Sequence, residues 1–225
     1  MKVFYLILFL FGLNSGSAQL QTITNQTEYP FWINVPETEK TEKQPILIFL
    51  HGKSLSGTDL NRVRRYGVLR AMDKGRKIPA IVVAPQLAKG SWNPDKVLEV
   101  LEYVKKNYNV DESRIYVCGM SLGGYGTLHF AGKHADKITA AVAICGGGNT
   151  SDGCTLSTIP IWIQHGDKDY IVPISESQKV VNAIRKCNEK AKLIFTIIKG
   201  GNHGSVENIF HQDAMYNWLF EQKRE

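Results

Sequence analysis

The fold is decided by residues 114–126, which read RIYVCGMSLGGYG near the middle of the 225-residue chain. The first five of these residues form a mostly apolar run, which is typical of a strand buried on both faces. Leu128, Phe130 and Ala131 then continue the chain as a predicted helix. A strand that passes directly into a helix predicts an α/β protein.

The turn between this strand and helix carries the pattern Gly119-x-Ser121-x-Gly123. The pattern alone is weak evidence because chance produces it often, but its place between a strand and a helix gives it meaning. Such a turn holds the serine in a strained backbone conformation, and glycines on both flanks remove side chains that would clash. The hydroxyl is then exposed beside the positive end of a helix, where an anionic intermediate is favoured. We therefore predict a nucleophilic Ser121, the alternative being an ordinary glycine-rich turn.

Strand and helix signals alternate along the rest of the chain. Apolar runs that predict strands lie at residues 31–35, 46–50, 80–84, 115–118, 140–145, 161–164 and 193–198. Helical spacing follows Asn93-Pro94-Asp95, where proline suits a first turn, and recurs at residues 174–187 and 209–220. This alternation implies parallel strands joined by right-handed crossovers. We expect one α/β domain with a mostly parallel central sheet and helices on both faces.

The N-terminal residues have the pattern of a secretory signal. Lys2 precedes an apolar run at residues 3–13, and the small residues Ser15-Gly16-Ser17-Ala18 follow. The run is too short to span a bilayer as a helix, so no stable membrane anchor is expected. Cleavage after Ala18 would leave a domain at residues 19–225, secreted or periplasmic. The alternative is a buried N-terminal helix.

Composition limits the classes of function. The chain has 27 Lys and Arg against 21 Asp and Glu, a net charge of +6, and 43% of its residues are hydrophobic. This length and apolar content suit one buried core and argue against a disordered chain. The nearest approach to a basic cluster is Arg62, Arg64, Arg65 and Arg70, which we interpret as one solvated helix face, so no nucleic-acid partner is expected.

The four cysteines permit three complete pairings, and the sequence does not choose among them. Cys118 lies inside a strand-like run and is expected to be a small buried thiol. Cys145 and Cys154 flank a glycine-rich stretch, so a local bridge between them is one alternative. Cys187 is the fourth cysteine.

A serine hydroxyl needs a neighbouring base to become nucleophilic. Among the six histidines, His203 stands alone in a glycine-flanked loop after the last predicted strand, and we predict that it is the base. An acid must orient the imidazole, and the residues themselves leave Asp167, Asp169 and Asp152 open for that role.

Three motifs together resemble the serine-esterase branch of the α/β-hydrolase superfamily. They are residues 119–126, Gly166-x-x-Asp169-x-x-Val172-Pro173 and Gly201-x-His203. More narrowly, they are similar to the phospholipase/carboxylesterase and dienelactone-hydrolase-like groups and to the feruloyl and acetyl-xylan esterases. The likeness runs from about residue 45 to the C-terminus.

The resemblance implies roles for particular residues. It implies that Asp169 is the acid and that the oxyanion is bound by two backbone amides, those of Leu122 and Lys53. Lys53 and Ser54 depart from the glycine or apolar residues usual in that loop. The implied chemistry is ester hydrolysis through an acyl-enzyme, which requires no metal and no organic cofactor.

The substrate is predicted from the expected openness of the site. Lids in the superfamily are usually inserted between the strands that correspond to residues 140–145 and 161–164, and the short segment here leaves no room for a helical lid. We expect short-chain or aromatic acyl esters, including decorations of plant polysaccharide, so the partner is a small-molecule or oligosaccharide ester. Trp92 is expected to stack on a sugar or an aromatic acid, the alternative being a packed tryptophan.

The same residues are compatible with other functions. A serine peptidase would use the same three side chains on amides, and a lysophospholipase would need an apolar acyl groove. A non-catalytic binding module on the same fold is the alternative of another class. The sequence does not specify the oligomeric state.

Overall fold

The computed structural model describes residues 20–36 and 42–225, and the predicted signal at residues 1–18 lies outside them. The strands are β1 (Leu20–Ile23), β2 (Phe31–Asn34), β3 (Gln44–Leu50), β4 (Ile81–Pro85), β5 (Val110–Met120), β6 (Ala140–Ile144), β7 (Ile161–Gly166) and β8 (Leu193–Ile198). The α-helices are α1 (Gly67–Asp73), α2 (Pro94–Asn107), α3 (Leu122–Lys133), α4 (Gly153–Leu156), α5 (Ser175–Cys187) and α6 (Asp213–Glu221). Short 3-10 helices cover Lys53–Leu55, Leu60–Arg65, Ala135–Lys137, Thr150–Asp152 and Ser205–His211.

The strands form one sheet in the order β1-β2-β4-β3-β5-β6-β7-β8. The strands from β3 to β8 pair in parallel with one another, whereas β1 and β2 run antiparallel along one edge. The carboxyl ends of the parallel strands therefore meet at one side of the sheet, where ligands of such folds bind. The predicted α/β architecture is confirmed.

The sheet is covered on both faces, as the apolar runs require. Ile46 and Ile48 of β3 face a core that contains residues of α2, α3 and α5. Leu47 and Phe49 of the same strand face a second core that contains residues of α1 and α6. Each fully buried aliphatic side chain stabilises the fold by about 1.5–3 kcal/mol, so the two cores hold the strand ends in place.

Each predicted strand is present, although most of them differ in extent by one or more residues. β5 begins at Val110 rather than at residue 115. β1 was not predicted, because it is a four-residue edge strand with two exposed side chains and carries no run of buried residues.

The helix predicted after Asn93-Pro94-Asp95 is α2, and its start has the expected cap. The Asn93 side chain accepts hydrogen bonds from the amides of Asp95 and Lys96, which a helix start leaves without acceptors. α5 matches the helix predicted at residues 174–187. Within the described residues, each helix falls short of the length and apolarity that crossing a bilayer requires.

The single closing helix predicted at residues 209–220 is wrong. The structure has the 3-10 helix Ser205–His211, then Gln212 in an extended conformation, and then α6. The break coincides with a tertiary contact, in which the guanidinium of Arg76 donates to the carbonyl oxygen of His211 at 2.8 Å. That carbonyl would accept an amide of the next turn in an uninterrupted helix.

The cysteines pair differently from the local bridge considered above. Cys154 in α4 is bonded to Cys187 at the end of α5. Cys145 is a buried free thiol, so a Cys145–Cys154 bridge is wrong. Cys118 is buried and free inside β5, as predicted.

The four arginines do not share one helix face. Three of them lie in the 3-10 helix Leu60–Arg65, and Arg70 lies in α1. Arg64 pairs with Asp73 at 2.7 Å, and Arg62 donates to the carbonyl oxygen of Ser54 at 2.9 Å. The expectation of one solvated face is therefore wrong, because two of the four side chains are engaged in tertiary contacts.

Candidate active site

Ser121 occupies the turn between β5 and α3. Its backbone has φ 59° and ψ −123°, a positive φ that is rare for a residue with a side chain. The turn is tight, since a Cβ on Gly123 would lie 1.8 Å from the carbonyl oxygen of Leu50. A Cβ on Gly119 would lie 2.3 Å from the Gly123 carbonyl oxygen, so glycine is required on both sides. The strained turn expected at this serine is present.

His203 and Asp169 reach Ser121 from two other strand ends. Asp169 follows β7 and His203 follows β8. Nε2 of His203 lies 2.9 Å from Oγ of Ser121, and Nδ1 of His203 lies 2.6 Å from Oδ2 of Asp169. The three side chains selected from the sequence therefore form one hydrogen-bonded chain. In this arrangement an imidazole can take a hydroxyl proton while a carboxylate fixes its tautomer.

Asp169 is held in its ionised form by several donors. Its Oδ1 accepts the amides of Ile171 and Val172, each at 2.9 Å, and the thiol of Cys145 also hydrogen-bonds to the carboxylate. Burial by itself would raise the pKa of Asp169, but the hydrogen bonds from His203 and these donors outweigh it and lower the pKa below its ordinary value. The carboxylate is thus charged at neutral pH and faces the imidazole.

The two other candidate acids lie elsewhere. Oδ1 of Asp167 accepts the amide of Gly200 at 2.7 Å and joins the loops after β7 and β8. Asp152 ends the 3-10 helix Thr150–Asp152 and packs beside Gly132 of α3. Of the three carboxylates, Asp169 is the one that contacts His203.

His51 and His165 shape the loops after β3 and β7. Nδ1 of His51 donates to the carbonyl oxygen of Gly52 at 2.8 Å, and its Nε2 accepts the amide of Leu87 at 3.0 Å. Burial lowers the pKa of His51 to about 4, so this ring is neutral at pH 7. Nε2 of His165 donates to the carbonyl oxygen of Val172 at 2.9 Å, and burial lowers the pKa of His165 as well.

The two amides predicted to bind the oxyanion each begin a helix. Leu122 is the first residue of α3, and Lys53 is the first residue of the 3-10 helix Lys53–Leu55. The first amides of a helix have no acceptor within it and favour an external anion. The amide of Gly52, which precedes Lys53, already donates to the Tyr66 hydroxyl at 3.0 Å. The amide of Lys53 is the next one along this loop. The role of both amides stays a prediction.

Ser121 opens onto a cavity of about 340 Å³. Its lining consists of Lys53, Ser54, Tyr66, Met120, Ser121, Ile171, His203, Gly204 and Glu207. Tyr66 and Glu207 could not be selected from the sequence, because they come from segments without a catalytic motif, and Ile171 was missed as well. Ile171 lies two residues after Asp169 and is 73% exposed, and its place inside that motif was the one available signal.

Trp92 lies outside this cavity. Its side chain is 4% exposed, and its Nε1 donates to the carbonyl oxygen of His51 at 3.0 Å. The ring packs edge-on against Tyr29 and His51, and it fills the space that a Cβ on Gly126 would need. The expectation that Trp92 stacks on a substrate is contradicted by this burial, and the alternative of a packed tryptophan is correct.

Comparisons with known proteins relate this chain to a family of esterases. The model of the phospholipase/carboxylesterase family matches residues 93–216, which is more than half of the chain. A bifunctional acetylxylan esterase/xylanase of Neocallimastix patriciarum is 34% identical over 85 residues, covering 37% of this chain and 12% of that protein. A probable feruloyl esterase C of Aspergillus terreus is 28% identical over 185 residues, covering 75% of this chain and 67% of that protein.

The crystal structure of a thermostable esterase superposes on this chain with a TM-score of 0.79 at 30% identity. The match covers 92% of this chain and 64% of the esterase. The chain thus spans less than two thirds of this solved structure and a small part of the bifunctional enzyme. On its sequence, its sheet and its superposition, the chain belongs to the phospholipase/carboxylesterase family of α/β-hydrolase-fold esterases.

Proposed function

We propose that this chain is a serine esterase that hydrolyses carboxylic esters through an acyl-enzyme on Ser121. The observation that carries the proposal is the chain of hydrogen bonds from Ser121 to His203, at 2.9 Å, and from His203 to Asp169, at 2.6 Å. Ser121 and His203 line a cavity that a small ester can enter. A base within hydrogen-bonding distance is what turns a serine hydroxyl into a nucleophile.

The reaction has two halves. His203 takes the proton of Ser121 as its Oγ attacks the ester carbonyl carbon, and the amides of Leu122 and Lys53 donate to the resulting oxyanion. His203 then gives this proton to the departing alcohol, and the acid stays bound to the serine as an ester. Water, whose proton His203 takes, attacks this ester, and His203 returns the proton to Oγ of Ser121 as the acid is released. Loss of one oxyanion donor costs about 3–4 kcal/mol in such enzymes.

Short-chain and aromatic acyl esters are the proposed substrates. Between β6 and β7 the chain forms only the 3-10 helix Thr150–Asp152 and the four-residue α4, so this segment provides no helical lid. A cavity of about 340 Å³ suits a small or single-ring acyl group better than a long lipid tail. The names of the two curated relatives, an acetylxylan esterase and a probable feruloyl esterase, support acyl decorations of plant polysaccharide.

The proposed location is outside the cytosol, either secreted or periplasmic. Residues 1–18 have the pattern of a signal peptide. The bond between Cys154 and Cys187 supports this location, because disulfides persist in oxidising compartments. N-terminal sequencing of the protein from its native culture tests it, with Gln19 expected as the first residue. Retention of Met1 would contradict export by cleavage.

The esterase proposal is tested with a panel of substrates on the wild type and on Ser121→Ala. The panel contains nitrophenyl esters from acetate to palmitate, methyl ferulate and acetylated xylan. We expect hydrolysis of the short-chain and aromatic esters, weak activity on palmitate, and a loss of at least about a thousandfold in Ser121→Ala.

Other outcomes of the panel would support the alternatives. A rate that rises with acyl length would indicate a lysophospholipase. Faster cleavage of aminoacyl amides than of matched esters would indicate a peptidase. If no ester is hydrolysed and a fluorophosphonate does not label the protein, the fold serves as a binding module and the esterase proposal fails.

A further inference from the structure

Tyr66 places a hydroxyl group inside the cavity of Ser121. The residue lies between the 3-10 helix Leu60–Arg65 and α1, far from any catalytic motif in the sequence. Its hydroxyl oxygen accepts the amide of Gly52 at 3.0 Å and lies 3.3 Å from Oγ of Ser54, which donates to it. Both partners belong to the loop that carries the Lys53 amide.

The hydroxyl is close to the reacting serine. The position that a Cβ on Gly52 would occupy lies 2.5 Å from the Tyr66 hydroxyl oxygen and 3.3 Å from Cβ of Ser121. Tyr66 and Ser121 therefore flank the same glycine and face the same cavity. The Gly52 amide and the Ser54 hydroxyl both donate to this oxygen. The proton of the Tyr66 hydroxyl itself has no acceptor among residues 20–36 and 42–225, so it is free to donate to a group bound in the cavity.

The backbone around Tyr66 is fixed by contacts with other parts of the fold. The amide of Gly67 donates to Oε1 of Glu207 at 2.9 Å. Gly67 has φ +78°, and a Cβ there would lie 2.2 Å from the ring of Phe49, so glycine is required. The tyrosine ring is thus carried on a rigid corner, as a preorganised donor must be.

We propose that the Tyr66 hydroxyl donates a third hydrogen bond to the oxyanion that forms when Ser121 attacks an ester. This inference rests on the proposed esterase function. Tyr66 keeps its proton throughout, so the step transfers no atom and only stabilises the negative charge. Burial raises the pKa of Tyr66 above its ordinary value, which keeps the donor protonated in the neutral range. Because charge develops on the carbonyl oxygen in the transition state, the bond acts there more than in the bound substrate.

The test compares Tyr66→Phe with Tyr116→Phe. Tyr116 is the matched control, because its hydroxyl donates to the Gln222 carbonyl oxygen at 2.7 Å and lies outside the cavity. With nitrophenyl butyrate and rates normalised to fluorophosphonate-labelled sites, we expect Tyr66→Phe to lower kcat about 10²- to 10³-fold with KM nearly unchanged. The inhibition constant of phenylboronic acid, which forms a tetrahedral anion on serine, should rise by the same factor. Tyr116→Phe should change neither quantity.

Two results would overturn the inference while leaving the esterase function intact. One is a Tyr66→Phe enzyme with wild-type kcat and boronate affinity. The other is a raised KM with unchanged kcat, which would make Tyr66 a wall of the substrate pocket. Replacement of Tyr66 by 4-aminophenylalanine keeps an N–H donor at this position, so its kcat should lie above that of Tyr66→Phe. The same variant replaces Tyr66→Phe in the test if Tyr66→Phe does not fold. A wild type that hydrolyses no ester would overturn both proposals.

Discussion

Oδ2 of Asp169 lies 2.6 Å from Nδ1 of His203, although the two residues are 34 positions apart in the chain. The contact follows from the order of the sheet. β7 and β8 pair in parallel, so the loops after their carboxyl ends are neighbours. Asp169 lies in the first loop and His203 in the second, and the imidazole reaches back toward β5 and its serine.

The Asp169–His203 contact predicts a large effect of Asp169→Asn on the rate. The amide would accept the imidazole proton poorly and would favour the wrong tautomer, so kcat on nitrophenyl acetate should fall about 10³- to 10⁴-fold. Asp167→Asn is the control, because Asp167 contacts the amide of Gly200 rather than the imidazole. The assignment of the acid fails if the two variants lose comparable activity.

Gly123→Ala is expected to abolish the active turn. The new Cβ would lie 1.8 Å from the carbonyl oxygen of Leu50, a backbone atom that cannot move aside without displacing β3. We expect at least about 3 kcal/mol loss of stability and no detectable ester hydrolysis. Gly75→Ala is the control, since Gly75 has φ +96° but nothing lies within 4 Å of its Cβ position. It should lose about 1 kcal/mol and keep its activity in the same denaturation and rate measurements.

The buried His51 predicts a loss of stability in mild acid. Its pKa falls from 6.5 to about 4 in the fold, mainly through burial. Between pH 6.5 and about pH 4 the imidazole binds a proton in the unfolded chain but not in the folded chain. The contribution of His51 to the free energy of unfolding is therefore complete above pH 6.5 and declines toward pH 4. The decline amounts to about 3 kcal/mol. Urea unfolding at several pH values should show a flatter dependence in His51→Gln, and equal slopes would refute the buried neutral histidine.

The disulfide between Cys154 and Cys187 should stabilise the fold without affecting the reaction. It closes a segment with a sequence separation of 33, for which chain entropy predicts about 3–4 kcal/mol. The double variant Cys154→Ser/Cys187→Ser should melt about 10 °C lower and keep its kcat at room temperature. Reductant should lower the melting temperature of the wild type to that of the variant. A reductant effect on the double variant would point to another cause.

The central strands could be predicted because their signal is local. A parallel strand buried on both faces is a continuous apolar run, and residues 46–50 and 140–145 show this directly. β1 lacks that signal because its middle residues, Gln21 and Thr22, face solvent at the sheet edge. The break at Gln212 also depends on a tertiary contact, the bond from Arg76 to His211, that no local pattern encodes.

The candidate site could be predicted in part for the same reason. Ser121 and His203 stand in distinctive glycine-flanked turns, whereas Asp167 and Asp169 share one loop and only its backbone path separates them. The burial of Trp92 results from packing against Tyr29, which is distant in the sequence. The cavity wall at Tyr66 arises in the same way, from a segment that meets the site only in the folded chain.

The proton-relaying cluster of Ser121, His203 and Asp169 is tested most directly by fluorophosphonate labelling followed by peptide mass spectrometry. The account predicts one adduct on Ser121 in the wild type and a labelling rate at least about a thousandfold lower in His203→Ala. His134→Ala, which removes a histidine paired with Asp95, should label at the wild-type rate. Labelling at another residue, or an unchanged rate in His203→Ala, would contradict the account.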